Sequence, residues 1–336
     1  MKDTAKKGRG GKVLLTVLIV LLSLIVLYTL FCLIAPHFVY PRFYKTAEKV
    51  AVIPDLWSGF IPQGVTETDD GTVLICGYMP GDSASRIYRL TDKGFVRIDL
   101  EREDGSVYDG HAGGMTAYGD FVYISNASKI FVLNAADVLD AKDGDTARFL
   151  GYFEVPCRAS FCSFGGNRLY VGDFYADGYE TDESHVMTTP DGSEHAAMVF
   201  GYDFDADARF GVEEVPAIAH SVCDKVQGFA VAQDGTVFLS CSYGLSDSEL
   251  KLYRMNSDPD ASFSHEGAEI PLYYLDGKRE KEIVRLPHMS EDIEFRDGKL
   301  LIAFEAGAKK YGGGLLPFSV RSVMRWTYPD LVETIE

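Results

Sequence analysis

Apolar and polar positions follow two different patterns along the chain. Val13 to Ala35 is a run of 23 residues without a charge. As a helix it would extend about 35 Å and cross a hydrocarbon layer of roughly 30 Å. After Pro36 the apolar residues come in short runs rich in Val, Ile, Phe and Tyr, separated by Gly, Asp and Asn. No amphipathic helix of convincing length interrupts them, so this second pattern predicts strands joined by tight turns.

The strand pattern repeats. Gln63-Gly64, Asp70-Gly71-Thr72-Val73 and Tyr78 return as Gln227-Gly228, Asp234-Gly235-Thr236-Val237 and Tyr243. Each copy reads as a strand, an Asp-Gly turn and a second strand. Weaker relatives begin at Gly113, Arg158 and Ser290, so successive starts lie 50, 45, 69 and 63 residues apart. A wholly β repeat of this size is the mark of a propeller with about four strands per blade. Third strands are expected at 86–90, 129–133, 198–202, 250–254 and 323–327, and fourth strands at 95–100, 148–155, 215–219 and 282–286. The fifth cassette has no fourth strand after it, and Lys49 to Ile53 fits that place. The expected fold is therefore an all-β propeller of five four-stranded blades. Its N- and C-terminal strands share one sheet, which removes open edges. A sixth, degenerate blade beginning at Ile270 to Tyr274 is the alternative.

The apolar run changes what the charge means. Lys2, Lys6, Lys7, Arg9 and Lys12 precede it, against one acid, Asp3. The run is longer than the core of a signal peptide, no small-x-small cleavage site follows it, and Phe31 before Cys32 is a poor context for lipoprotein processing. An uncleaved anchor is expected, with a cleaved signal peptide as the alternative. The basic flank should stay inside, which puts the rest of the chain outside the cytoplasm. The expected layout is a cytoplasmic tail at 1–12, a transmembrane helix at 13–35, a juxtamembrane linker at 36–48 and an extracytoplasmic propeller at 49–334. Setting the tail aside leaves 27 basic against 49 acidic residues, a net charge of −22. Such a surface repels nucleic acid, which is excluded as a partner.

Five cysteines lie beyond the anchor, an odd number that cannot fully pair within the chain. Cys76, Cys162 and Cys241 sit in apolar strand patterns and are expected to be small buried hydrophobes. Cys157 and Cys223 both precede an inner strand, and a disulfide between them is one expectation.

In antiparallel blades the first strand begins, and the second ends, on the same face of the ring. The Asp-Gly turns fall on the opposite face and read as structural. The first face carries the irregular sequence: the long connections from Phe174 to Ala197 and from Ala306 to Ser319, and five of the seven histidines. Loops on a rigid scaffold are where binding groups gather. The ring around the axis should draw on Gln63, His111, Arg158, Gln227 and Glu291, with Asp173, Tyr243 and Glu305 alongside. Amide, imidazole, guanidinium and carboxylate converging on one mouth suit a small polar ligand such as a sugar or peptide fragment. The plainer alternative is that these groups satisfy one another and water.

With these cassettes the chain resembles the bacterial extracytoplasmic β-propellers, and it is broadly similar in pattern to lactonase-like and strictosidine-synthase-like propellers from Lys49 to Thr334. The resemblance implies the fold. No metal quartet or catalytic set of either family matches residue by residue, so it implies no activity.

The expected function is non-catalytic binding of a small polar ligand, or of an envelope protein or glycan, by a membrane-anchored propeller. The first alternative is a hydrolase, either with Asp173 and Glu305 as acid and base or with a divalent cation on His111, Glu291 and Asp173. The second is a scaffold without a pocket ligand. No cofactor beyond such a cation is expected. Asp203 to Glu214 has acids at calcium-loop positions, but Ala208 replaces the needed Gly, and an acidic turn is the preferred reading. Because Lys49 to Ile53 must run toward the mouth face, the anchor is expected to join the opposite face, with the mouth pointing away from the bilayer.

Overall fold

The computed structural model describes residues 5–328, and for residues 5–10 the backbone alone. Residues 1–4 of the expected tail and 329–334 of the expected propeller lie outside it. Five blades of four antiparallel strands surround one axis. Blade 1 is Ile61–Glu67, Val73–Tyr78, Arg86–Thr91 and Gly94–Glu101; blade 2 is Gly114–Tyr118, Phe121–Asn126, Lys129–Asn134 and Gly151–Glu154. Blade 3 is Phe161–Gly165, Arg168–Gly172, Ala197–Asp203 and Ile218–Val222; blade 4 is Val226–Val231, Thr236–Cys241, Ser248–Arg254 and Glu280–Leu286. Blade 5 combines Ser290–Arg296, Lys299–Phe304 and Ser322–Thr327 with the N-terminal strand Ala47–Val52, which closes the ring as expected. Below, strands within a blade are a to d from the axis outward.

Three further strands extend the blades at their outer edges, and one of them lies where the sequence suggested a sixth blade. Asp145–Arg148 adds in parallel to the outer strand of blade 1. Ala261–His265 and Ala268–Tyr274 form a hairpin within blade 4's c–d connection, and Ala268–Tyr274 pairs in parallel with Ile218–Val222 of blade 3. The run at Ile270–Tyr274 is thus an extension of blade 3, and no sixth blade begins there. Its apolar pattern reflects burial of Ile270, Leu272 and Phe263 against blade 3.

The Asp-Gly turns form for a local reason. The N–H of Gly71 closes on Thr68 C=O with φ at 83°, and Gly235 does the same on Ala232 with φ at 81°. Asp70 Oδ1 accepts from Thr72 N at 3.0 Å, and Asp234 Oδ1 from Thr236 N at 2.9 Å. The aspartate satisfies a turn donor and the glycine takes the left-handed backbone.

Closure of the axis depends on three other glycines. A Cβ on Gly64 would meet Met115 N at 2.5 Å, one on Gly114 would meet Cys162 N at 2.6 Å, and one on Gly228 would meet Ile293 N at 2.8 Å. Backbones of neighbouring inner strands therefore touch, and the ring closes beneath the mouth. The packing between blades is aromatic and aliphatic, with Trp326, Tyr88, Tyr123, Tyr202, Phe200 and Phe229 among the largest fully buried side chains.

The N-terminal helix runs from Ala5 to Val39, so it takes in residues 5–12 of the expected tail, and Gly11–Val39 is long and apolar enough to cross a membrane. A short helix, Pro41–Tyr44, follows within the expected linker. The helix does not join the ring where the sequence suggested. The N-terminal strand does run toward the mouth, since Ala47 pairs with Trp326 and Val52 with Ser322. The preceding chain, however, first descends the outside of blades 4 and 5. Tyr40 OH donates to Asp247 Oδ1 on a mouth-side loop at 2.6 Å, Phe43 is buried, and Thr46 Oγ1 reaches Thr327 O at the far end. The helix thus stands on the mouth side of the ring, with Phe31 against Phe318 at a centroid distance of 5.9 Å.

Candidate binding site at the propeller mouth

The mouth is a bowl of 820 Å³ bounded by the a-strand starts, the b-strand ends and their connections. Gln63, His111, Arg158, Gln227, Tyr243, Glu291 and Glu305 all line it. Three of them arrive by the same device. Pairing between strands a and b slips between Pro62 and Gly64, between Val226 and Gly228, and between Ser290 and Ile293. The residue bulged out of the ladder is Gln63 in blade 1 and Gln227 in blade 4, and the slip in blade 5 takes in Glu291. A bulge frees a residue from strand alternation and re-aims its side chain, here toward the axis.

Asp173 is the expected residue that the bowl leaves out. It is fully buried at the end of strand b in blade 3. Its Oδ1 accepts from Arg158 N at 2.7 Å, and its Oδ2 meets His185 Nδ1 at 2.7 Å and Met198 N at 3.1 Å. It therefore positions the Arg158 backbone and the long loop of blade 3 from beneath. Arg158 itself stands at the rim, its guanidinium donating to Glu180 O.

The floor holds a carboxyl pair. Glu291 is 2% exposed, lies beside Glu305, and its Oε1 has no hydrogen-bond partner. Burial pushes Glu291 well above the ordinary carboxyl range, and the charges of Glu305 and Asp292 push the same way. Glu305 is also raised by burial, offset by hydrogen bonds from Tyr311 and from Gln63, whose Nε2 lies 3.1 Å from Glu305 Oε2. Burial and the neighbouring charge therefore both favour the protonated form of Glu291.

Aromatic rings form the walls. Phe174, Tyr179 and Tyr243 cluster on one side, with centroids 5.5 to 6.4 Å apart. Opposite them Tyr78 stacks on His111 at 4.5 Å and accepts a 2.8 Å hydrogen bond from Lys310 Nζ. His111 is exposed at the lip of the bowl, with the Lys310 ammonium nearby disfavouring its protonated form. Phe174, Lys310 and Tyr311 belong to the two long connections the sequence assigned to this face, whereas Tyr78 and Tyr179 were not placed at the site from the sequence. Tyr78 had a legible signal, since it ends its cassette as Tyr243 does.

Two further acids on the same inner strand continue down the axis. Asp292 Oδ2 accepts from Met115 N at 3.1 Å and Val65 N at 3.3 Å, and burial raises its pKa. Glu294 accepts from Thr66 Oγ1 at 2.6 Å, Thr116 Oγ1 at 2.9 Å and Glu67 N at 3.1 Å. Burial still carries it to about 7 against these bonds. Asp292 and Glu294 cross-link the inner strands and lie beneath the bowl.

Other expectations resolve locally. Among the described residues no group of three or more His, Cys, Asp or Glu could hold a metal ion. Asp203–Glu214 is a turn in which Phe204 bridges to Val212 and Asp205 Oδ1 accepts from Asp207 N at 2.9 Å. All six cysteines are free. The expected Cys157–Cys223 bond does not form, because Cys157 is buried in the core between blades 2 and 3 whereas Cys223 lies against Cys241 with sulfurs 3.7 Å apart.

No family model matches the chain, and no curated protein matches it in sequence. Among solved structures it is similar to the PQQ-bound aldose sugar dehydrogenase of Streptomyces coelicolor, with 11% identity, 83% of this chain and 97% of that one covered, and a TM-score of 0.45. The glutaminyl cyclase of Myxococcus xanthus gives 10% identity, 82% and 97% coverage and a TM-score of 0.42. A putative oxidoreductase (glucose dehydrogenase) of Thermus thermophilus gives 16% identity, 77% and 78% coverage and a TM-score of 0.40. At such values the likeness carries no argument about chemistry. The chain is a five-bladed β-propeller, and any function must be argued from its own residues.

Proposed function

We propose that the protein is anchored in the membrane by its N-terminal helix, with the propeller outside the cytoplasm, and that the bowl binds a saccharide unit of an envelope glycan without transforming it. The carrying observation is the carboxyl pair Glu291 and Glu305 at the desolvated floor of an aromatic bowl. Glu291 Oε1 is left without a partner and can accept from a sugar hydroxyl. The rings of Tyr78, Phe174, Tyr179 and Tyr243 offer apolar faces to the C–H faces of a sugar ring, and pockets of this kind fix orientation with a few polar groups. Arg158 and Lys310 flank the entrance where an acidic substituent would lie.

The same geometry argues against hydrolysis. Asp173, needed in both hydrolase schemes, is enclosed by Arg158, His185 and Met198.

The test is binding of neutral and uronic oligosaccharides to the full chain in lipid nanodiscs, free of glycosidic detergent, by saturation-transfer NMR. Expected is transfer to ring protons of at least one class, abolished by Glu291→Gln together with Tyr243→Ala. A folded protein that shows no transfer from any saccharide would overturn the proposal, and release of a shortened sugar would replace it with the hydrolase.

A further inference from the structure

The b–c connection of blade 5 does two things at once. Its first half brings Lys310 and Tyr311 to the bowl, and its second half, Gly312 to Phe318, leans on the N-terminal helix. Tyr28 OH donates to the backbone carbonyl of Leu315, and Phe31 packs against Phe318. Tyr28 lies seven residues before Ala35, about 10 Å of helix inside the end of the charge-free run. If that run spans the bilayer, whatever touches Tyr28 lies inside it too.

The loop is built for such a place. Leu315 is 66% exposed, Leu316 38%, and neighbouring Trp57 49%. Gly312, Gly313 and Gly314 all have positive φ, and a Cβ on Gly313 would meet the Trp57 ring at 2.7 Å, so the apolar tip and the indole are locked together. An unsatisfied carbonyl in hydrocarbon is costly, and the Leu315 carbonyl is satisfied by the helix itself. Exposed Lys309 and Lys310 stand at the base of the tip, where they would meet anionic headgroups, and an indole suits the interfacial layer.

We propose that the Gly312–Phe318 tip and Trp57 insert into the outer leaflet, so that the mouth of the propeller faces the bilayer surface. The proposal rests on the helix being a membrane anchor. It deepens the saccharide reading, because a ligand would then enter along the membrane as the headgroup of a lipid-linked glycan.

The chain has two tryptophans, Trp57 and the fully buried Trp326, which permits a test on the native protein. The full chain is reconstituted in phosphatidylcholine vesicles with and without bromine on the acyl chains. Expected is loss of Trp57 emission in the brominated vesicles, absent in Trp57→Phe and restored by Leu315→Trp in that background. Emission quenched by aqueous acrylamide but not by bromolipid, in a chain that resists alkaline carbonate extraction, would overturn the insertion while leaving the anchor intact. Release of the chain by carbonate would overturn both.

Discussion

Asp173 and His185 lie 2.7 Å apart, Oδ2 to Nδ1, and both side chains are buried. The bond ties the end of an inner strand to the middle of the longest mouth-side loop, which runs from Phe174 to Ala196. The same carboxylate holds the N–H groups of Arg158 and Met198. Removing it leaves the Arg158 and Met198 N–H groups and His185 Nδ1 without this partner. Asp173→Ala is therefore expected to cost about 3 kcal/mol, read as a lowered thermal midpoint, and to weaken ligand binding only through the displaced loop. An unchanged midpoint would show that the loop is held by other contacts.

Gly64 and Gly228 make a prediction that reaches back to the repeat. Each sits beside a bulged glutamine, and each faces a backbone nitrogen of the next inner strand, Met115 for one and Ile293 for the other. A methyl group there must push two strands apart at the axis, where neither neighbour is a flexible side chain. Gly64→Ala and Gly228→Ala should each lower stability by about 1–3 kcal/mol. Gly81→Ala is the control: its φ is positive but the space around it is open, so it bears a backbone cost without a clash and should lose less.

Much of this architecture was legible because its physical causes are local. An Asp-Gly pair between β-forming runs defines the turn in blades 1, 4 and 5, Gly119-Asp120 and Gly166-Asn167 do so in the other two, and the five cassettes set the count. The Ala268–Tyr274 strand misled because its apolar alternation serves a neighbour's outer edge, a long-range pairing that no local pattern encodes. At the mouth, Gln63, Gln227 and Glu291 could be placed from their position at the start of inner strands. Asp173 met the same rule at the end of strand b, yet its side chain turns inward to the Arg158 backbone. Direction at a strand end is set by tertiary donors, and these lie 15 and 25 residues away in the chain. The side of the ring on which the helix stands was hidden for a similar reason: Tyr40 and Phe43 pack down the outside of blades 4 and 5 before the closing strand begins.

Glu294 makes stability depend on pH in an unusual direction. Burial raises it from 4.5 to about 7, so between those values the folded protein binds a proton that the unfolded chain has released. Stability should therefore fall as pH rises through this window. The shift corresponds to a contribution on the order of 3 kcal/mol. Glu294→Gln mimics the protonated acid, its amide donating to Thr66 and Thr116 while its carbonyl accepts from Glu67 N. The variant should flatten the thermal midpoint between pH 5 and pH 7 relative to the parent. Equal slopes in the two proteins would assign the pH dependence to Glu291 and Asp292, which burial also raises.

The cysteines divide by environment in a way that chemistry can read. Cys76, Cys157 and Cys162 are buried in strand cores, and burial drives their thiols up. Cys223 is half-buried beside a cavity of 550 Å³, and its hydrogen bond with Cys241 draws its thiol down, helped by the Lys251 ammonium and opposed by burial. Cys241, its partner in that bond, is pushed up. The thiolate is the nucleophile, so iodoacetamide should modify Cys223 first in the folded full chain. Cys76, Cys157 and Cys162 should react only after denaturation, as mapped by peptide mass spectrometry. Cys241→Ala removes the hydrogen-bond partner and should slow the modification of Cys223 even as it opens more space around the sulfur. Faster modification would mean that access, and not the hydrogen bond, limits the reaction.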